Sequence, residues 1–249
     1  MKIDKKAGQF ALLFFPVGLL CAWYLAYTNY LRAAEVGVQA SLALILATSF
    51  IQVAIIYTLV LGYLGHQLAA KVSLLKRLTF QREATRKAVL LGLASAIIML
   101  SDYYLFAPHI PQVQASYTPE SFSLIALVFS MLYGGIIEEI MLRLFFLSLL
   151  VFILDLIFKK SKQGYSIPRA YYHVANVVAA LFFALGHLPA TQMAFGSLTG
   201  LLILRSLILN GLLGYLFGWI FIRWGIQYAM VSHALTHLFF QGILFLFIL

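Results

Sequence analysis

Charged residues are scarce in this sequence. Only 10% of its 249 residues are Asp, Glu, Lys or Arg, whereas 63% are hydrophobic, and the mean hydropathy is +0.97. No water-soluble globular domain needs so apolar a composition, so most of the chain is expected to lie in lipid. The net charge of +9 would suggest nucleic acid in a soluble protein. Here most Lys and Arg residues lie between apolar runs, and no nucleic-acid partner is expected.

Cysteine is almost absent as well. Cys21 is the only one, which excludes a disulfide within the chain and a thiolate metal cluster. It lies in an apolar run and is interpreted as a small core residue. The N-terminus carries Lys2, Lys5 and Lys6 before a long apolar stretch without a small-residue cleavage site. This pattern predicts a retained first helix rather than a signal peptide.

Long apolar runs are abundant. A bilayer crossing needs roughly 20 residues, and the sequence predicts an all-α, polytopic transmembrane bundle of about seven helices in one integral membrane domain, 1–249. Helices within 8–107 are expected to form a scaffold, and 121–248 to carry the functional motifs. The fourth run is too long for one ordinary crossing and would give eight helices if divided. The runs are 8–30, 38–65, 88–107, 121–158, 171–188, 201–222 and 227–248.

The basic residues between these runs favour seven helices. With the fourth run undivided, the N-terminus, 71–87, 159–169 and Arg223 fall on one side, and only Arg32 falls opposite. Dividing that run would move the 159–169 cluster and Arg223 to the far side, which the positive-inside rule disfavours. We therefore predict a cytoplasmic N-terminus. The segment 108–120 has three prolines and no basic residue, which indicates an external loop.

The basic segment 71–87 has two interpretations. With Leu74, Leu75 and Phe80 it could lie amphipathically on anionic lipid, or it could act as an orientation signal only. The short loops and the lack of an organelle address fit a bacterial plasma membrane.

Ionisable side chains within the spans require an explanation. Inserting each charged side chain at bilayer depth costs about 2.5–3.5 kcal/mol of free energy, so such groups usually have a structural or functional role. Asp155 and Arg205 lie near span ends and are interpreted as reaching the interface. Asp102 and His66 are interpreted as structural contacts. The full set is Asp102, Glu138, Glu139, Arg143, Asp155 and Arg205, with His66, His187, His233 and His237.

Three charges crowd the middle of the fourth run. Glu139 and Arg143 are four residues apart with the acid first, which predicts an ion pair on one helix face. Glu138 points about 100° away. It is therefore the carboxylate without a local partner and is suited to general-base work. Gly134 and Gly135 would let another backbone or a substrate strand approach closely.

Histidines occur in the fifth and seventh runs. His187 ends the fifth run just before Pro189, and a single histidine there is more often a hydrogen-bonded structural residue than a catalyst. His233 and His237 lie four residues apart on one helix face. Such a pair can chelate a metal, present two N–H donors to an oxyanion, or be structural, and the spacing leaves all three open.

Taken in order, these motifs resemble a known family. Glu138-Glu139-x-x-x-Arg143, Phe183-x-x-x-His187 and His233-x-x-x-His237 are similar to the CPBP family, over about 121–240. That family comprises the type II CAAX prenyl endopeptidases and the Abi-type bacteriocin-processing and immunity proteins. The resemblance implies an intramembrane glutamic endopeptidase that acts on a membrane-anchored or lipidated peptide or protein.

The resemblance also implies roles for these residues. Glu138 with His187 would activate a water molecule, and His233 would help to stabilise the oxyanion. Glu139 and Arg143 match the remaining charged positions and would hold Glu138 in place. The family commonly has Asn where this chain has His237. A neutral imidazole can replace the amide as a donor only in the correct tautomer.

Three alternatives remain beside this hypothesis. His187, His233 and His237 with Glu138 would make a plausible zinc set, although the family's glutamate mechanism needs no metal and we expect no cofactor. A non-catalytic immunity or peptide-binding protein would retain its function without the Glu138 carboxylate. A proton-coupled transporter is disfavoured because no internal repeat is visible. The sequence specifies neither the substrate nor the oligomeric state.

One geometric difficulty accompanies the mechanism. At a rise of 1.5 Å per residue, His233 would lie about 9 Å and His187 about 24 Å from the cytoplasmic ends of their helices. The two residues meet only if helices tilt, if the fourth helix extends into the cytoplasm, or if the turn at Trp224 and Gly225 is sunk below the surface.

Overall fold

The computed structural model describes residues 4–35, 37–39, 41–158 and 166–249. Within these ranges seven helices are long and apolar enough to cross a membrane, so the chain is an integral, multi-pass membrane protein and the all-α prediction is confirmed. The helices are α1 (Lys5–Glu35), α2 (Leu42–Lys71), α3 (Arg82–His109), α4 (Leu124–Phe158), α5 (Arg169–Phe195), α6 (Gly200–Trp224) and α7 (Ile226–Ile248).

The long fourth run forms a single helix, as the basic residues predicted. Helix α4 begins after Ser123, whose hydroxyl accepts a hydrogen bond from the backbone N–H of Ala126 at 3.3 Å, the usual cap for an otherwise unpaired donor. Its middle, Tyr133–Leu147, has the wider i→i+5 hydrogen bonding of a π-helix, a form frequent at functional sites. Helix α4 packs against α2, α5 and α7 and so lies at the centre of the bundle.

The connection between α2 and α3 folds across the start of α7. The Tyr228 hydroxyl donates to the carbonyl of Thr79 and accepts from the backbone N–H of Gln81, both at 2.8 Å. Tyr172, near the start of α5, donates to the carbonyl of Val72 at 2.8 Å. These contacts gather the starts of α3, α5 and α7 at one end of the bundle, which requires an undivided α4.

We call this the basic end, because Lys71, Lys76, Arg82, Arg169 and Arg223 all lie there. Residues 1–3 and 159–165, which contributed Lys2, Lys159, Lys160 and Lys162 to the orientation prediction, lie outside the described residues.

The turn between α6 and α7 is covered at the basic end. Gly225 is buried and has φ +108°, a backbone conformation that favours glycine. A Cβ atom at Gly225 would lie 2.9 Å from the Lys76 side chain, so the α2–α3 connection covers the turn directly. His187 and His233 both face Glu138, so the two residues meet despite the geometric difficulty noted above.

A buried ion pair closes the opposite end. Asp102 is only 1% exposed and accepts a hydrogen bond from Arg205 Nε at 2.7 Å. The sequence interpretation placed Arg205 at the interface and did not identify this partner, because Asp102 lies 103 positions away and no local pattern connects the two residues. Tyr117 also donates to this carboxylate. Burial and the neighbouring Asp102 raise the pKa of Tyr117 above its usual range, so its hydroxyl stays protonated as a donor.

Candidate active site

A cavity of about 290 Å³ lies between the helices beside the Glu138 carboxyl group. Residues from every span except α2 line it, and they combine apolar walls with convergent polar groups, as ligand sites usually do. The lining polar residues are Tyr24, Thr28, Ser130, Tyr133, Glu138, His187, Asn210, His233, Thr236 and His237.

Two imidazoles face the Glu138 carboxyl group across this cavity. The Oε1 atom lies 4.0 Å from His187 Nε2, and Oε2 lies 3.8 Å from His233 Nε2. Both distances exceed a direct hydrogen bond and suit a bridging water molecule. The predicted convergence of one carboxylate from α4 with histidines from α5 and α7 is confirmed.

The position of His187 follows from a break in α5. Its first segment ends at Gly186, and the helix resumes at Leu188 with Pro189 in its first turn, where proline is tolerated. His187 Nδ1 lies 2.8 Å from the carbonyl oxygen of Phe183. Because a carbonyl can only accept, Nδ1 carries the hydrogen. In the neutral ring, Nε2 therefore presents a lone pair toward Glu138.

His233 is held more tightly. It is 4% exposed, and its Nδ1 lies 2.8 Å from Glu139 Oε1, so Nδ1–H donates to this carboxylate. The ring stacks on Phe217 with centroids 4.3 Å apart. Glu139 thus fixes both the tautomer and the orientation of His233, leaving Nε2 facing Glu138.

The predicted ion pair between Glu139 and Arg143 is present and buried. Arg143 Nη1 lies 3.2 Å from Glu139 Oε1, with the two side chains 2% and 0% exposed. Arg143 also donates to the carbonyl of Gly214 at 3.2 Å, and its guanidinium carbon lies 4.5 Å from the centre of the Phe183 ring. One carboxylate therefore serves two partners, Arg143 and His233, the second of which the sequence did not reveal.

The glycine pair of α4 allows α7 to approach closely. A Cβ atom on Gly134 would lie 2.6 Å from His237 Nε2 and 3.0 Å from His233 Nε2. A Cβ atom on Gly135 would lie 3.0 Å from the carbonyl oxygen of Met230. The two imidazoles stack with centroids 5.2 Å apart. Gly134 thus makes the space that the histidine pair occupies, and Gly135 brings the α7 backbone against α4.

Helix α1 contributes a wall that the sequence interpretation assigned to scaffold alone. Cys21, Tyr24, Leu25 and Thr28 line the cavity at i, i+3, i+4 and i+7, the spacing of a single helix face. Tyr24 stacks on Phe129 of α4 with ring centroids 4.0 Å apart. Tyr24 and Thr28 are polar residues on one face of an apolar span. This pattern could have indicated from the sequence that α1 lines a polar cavity.

The zinc set considered from the sequence does not assemble. Among the described residues, no group of three or more His, Cys, Asp and Glu side chains has the geometry to hold a metal ion. The imidazoles of His187 and His233 instead face separate oxygens of Glu138. The donor set does not fit a four-ligand zinc site.

Comparison with known proteins gives one family. Residues 120–239 match the model of the family described as type II CAAX prenyl endopeptidase Rce1-like. The matched segment contains Glu138, His187, His233 and His237, which confirms the resemblance drawn from the sequence motifs. No curated protein and no solved structure matches the chain.

Proposed function

Because the chain carries an Rce1-like domain of the type II CAAX prenyl endopeptidases at residues 120–239, we propose that it cleaves lipidated or membrane-anchored peptides within the bilayer. The family is one of proteases, so the coarse activity is peptide hydrolysis. The observation that carries the finer proposal is the water-sized separation between the Glu138 carboxyl group and the Nε2 atoms of His187 and His233.

Glu138 and His187 are suited to activate a water molecule together. Both present acceptors to the gap between them, since Nδ1 of His187 is committed to the Phe183 carbonyl. A water molecule there donates its two hydrogens to these acceptors and keeps a lone pair for the peptide carbonyl. Glu138 takes the proton as the C–O bond forms and transfers it to the leaving amine when the C–N bond breaks.

The oxyanion needs hydrogen-bond donors, and here the two histidines of α7 differ. His233 commits Nδ1–H to Glu139, so its Nε2 can donate only when the ring is doubly protonated. Among the described residues, neither nitrogen of His237 has a hydrogen-bond partner. A neutral His237 can therefore place its hydrogen on the nitrogen that faces the cavity. We assign it the main donor role, which is that of the amide more common at this position in the family.

The cavity walls suit a substrate with an apolar attachment. Tyr24, Leu25 and Phe129 provide aromatic and aliphatic surface beside the polar cluster. The amide nitrogen of Asn210 donates hydrogen bonds to Ser206. Its amide oxygen is left to accept a hydrogen bond from a peptide N–H. A lipidated peptide satisfies both parts of such a cavity.

The location is part of the same proposal. The basic end of the bundle is assigned to the cytoplasm by the positive-inside rule, which also makes the N-terminus cytoplasmic. A bacterial plasma membrane is the proposed setting, because the connections between the spans are short.

Gly134→Ala tests the imidazole pair. Its methyl group would displace His237 and His233, and we expect cleavage to fall by about 10²-fold or more, comparable to loss of one oxyanion donor. The displaced groups are side-chain tips, so the protein should remain folded by size-exclusion chromatography. Gly242→Ala on the same helix bundle is the control, because a Cβ atom there meets nothing within 4 Å. Equal cleavage rates for the two variants would contradict the assignment.

The activity itself is tested with purified protein in detergent. A farnesylated peptide ending in a CAAX-type tetrapeptide and its unprenylated counterpart are incubated with wild type, and the products are identified by mass spectrometry. We expect cleavage of the farnesylated peptide, retention of activity with a chelator, and loss in His187→Ala but not in His109→Ala, an exposed control. Unchanged processing by His187→Ala would overturn the proposal, and inhibition by the chelator would indicate a metal instead.

A further inference from the structure

A second cavity, of about 560 Å³, lies at the basic end of the bundle. It is formed by the first turns of α5, the last turns of α6 and the start of the α2–α3 connection, away from the residues around Glu138. We call it the basic-end pocket. Its lining residues are Ser73, Leu74, Lys76, Arg169, Tyr172, His173, Asn176, Trp219, Ile222 and Arg223.

The pocket has three cations and no acidic residue in its lining. Lys76, Arg169 and Arg223 are exposed, and none forms an ion pair with an acid within the described ranges. Asp155 interacts electrostatically with Tyr172 but does not line the pocket. Arg169 is also the first residue of a helix segment of 18 residues that has no acidic residue in its first turn and no side-chain cap. Unpaired backbone N–H groups therefore add to the positive potential.

A buried amide supports the wall of the pocket. Asn176 is 1% exposed, and its Nδ2 donates to the carbonyl of Tyr215 at 3.0 Å. Its Oδ1 lies against α6, since a Cβ atom on Gly218 would overlap with it. Asn176 therefore holds α5 against α6, and the cations are the groups that the pocket offers to a ligand.

The surroundings of the pocket are apolar on the side toward the membrane centre. Trp219, an amphipathic residue of the kind enriched at membrane interfaces, stands on its wall. Below it, Val177, Leu181 and Leu212 on the outer faces of α5 and α6 are 56%, 50% and 51% exposed. An acyl chain that descends from the pocket would run along this surface.

From these features we infer that the basic-end pocket binds the headgroup of an anionic phospholipid such as phosphatidylglycerol. The phosphate lies among Lys76, Arg169 and Arg223. Basic pockets between spans at this level of the membrane are suited to anionic headgroups. The inference does not depend on the peptidase proposal, because lipid binding is measured without cleavage.

The test compares two triple variants of the full chain by native mass spectrometry from detergent. Lys76→Gln/Arg169→Gln/Arg223→Gln removes the pocket cations. Arg82→Gln/Arg86→Gln/Lys87→Gln removes the same charge from the start of α3, outside the pocket. We expect wild type to bind phosphatidylglycerol in preference to phosphatidylcholine. The first triple variant should bind phosphatidylglycerol at least about tenfold more weakly, whereas the second should bind like wild type. Equal weakening by both would show general surface attraction and overturn the site.

A further arm identifies the source of the phosphate. Inorganic phosphate in millimolar excess should not displace phosphatidylglycerol, and displacement would overturn the lipid assignment. Size-exclusion chromatography confirms that each variant is folded.

Discussion

Replacing Glu138 with Gln should lower the rate of peptide cleavage by about 10²–10⁴-fold. The amide has nearly the same shape as the carboxyl group, so the cavity and its two facing imidazoles remain. It cannot accept the proton of the attacking water molecule, because the amide nitrogen is not a base. The rate is measured under single-turnover conditions with the farnesylated peptide, so that product release does not hide the chemical step.

The matched control for this variant is Glu120→Gln. Glu120 is exposed in the loop before α4, and its replacement makes the same change of charge outside the cavity. We expect the control to cleave like wild type and both variants to unfold at the wild-type temperature. A Glu138→Gln protein that retains full activity would remove the general base from the mechanism. If it instead keeps a protective or peptide-binding function without cleavage, the non-catalytic alternative gains support.

Arg143→Ala should destabilise the protein by about 3–5 kcal/mol, the cost of breaking a buried ion pair by removing one partner. Glu139 would lose the cation that balances it at a site where its side chain is 0% exposed. The carbonyl of Gly214 would also lose its donor, because Arg143 Nη2 supplies that hydrogen bond. The free energy of unfolding is measured by titrating folded protein in mixed micelles with a denaturing detergent.

A double replacement separates stability from positioning. Glu139→Leu/Arg143→Leu removes both charges, so much of the lost stability should return. Cleavage should not return, since His233 loses the carboxylate that holds its Nδ1–H. Arg32→Ala, at the exposed end of α1, is the control and should change stability by less than about 0.5 kcal/mol. Recovery of both stability and cleavage would show that Glu139 does not position His233.

The sequence was most informative where charges interrupt an apolar helix. The spacing of Glu139 and Arg143 predicted their ion pair, because residues four apart are neighbours on a helix. Removing that pair from consideration left Glu138 as the available carboxylate. The positions of basic residues also predicted that α4 is undivided, since orientation in membranes depends on such residues.

Contacts between distant helices could not be predicted in this way. Asp102 and Arg205 are 103 positions apart, and Glu139 and His233 are 94 apart, so no local periodicity connects them. The π-helical segment Tyr133–Leu147 was also not visible, because hydrophobic patterns do not distinguish its turn from that of an α-helix. The packing of this segment against the other helices, which brings Glu138 to His187, involves residues far apart in the sequence.

The cavity around Glu138 is built mostly from the halves of the helices that lie away from the basic end. Cys21–Thr28 belongs to the later part of α1, Met99 to the later part of α3, and Phe129 to the first turns of α4. At the basic end, the α2–α3 connection covers the buried turn at Gly225 and closes this side of the bundle. Under the proposed function, a scissile bond would therefore approach through the half of the bundle remote from the basic end, and the lipid anchor of a substrate would lie in that half of the membrane.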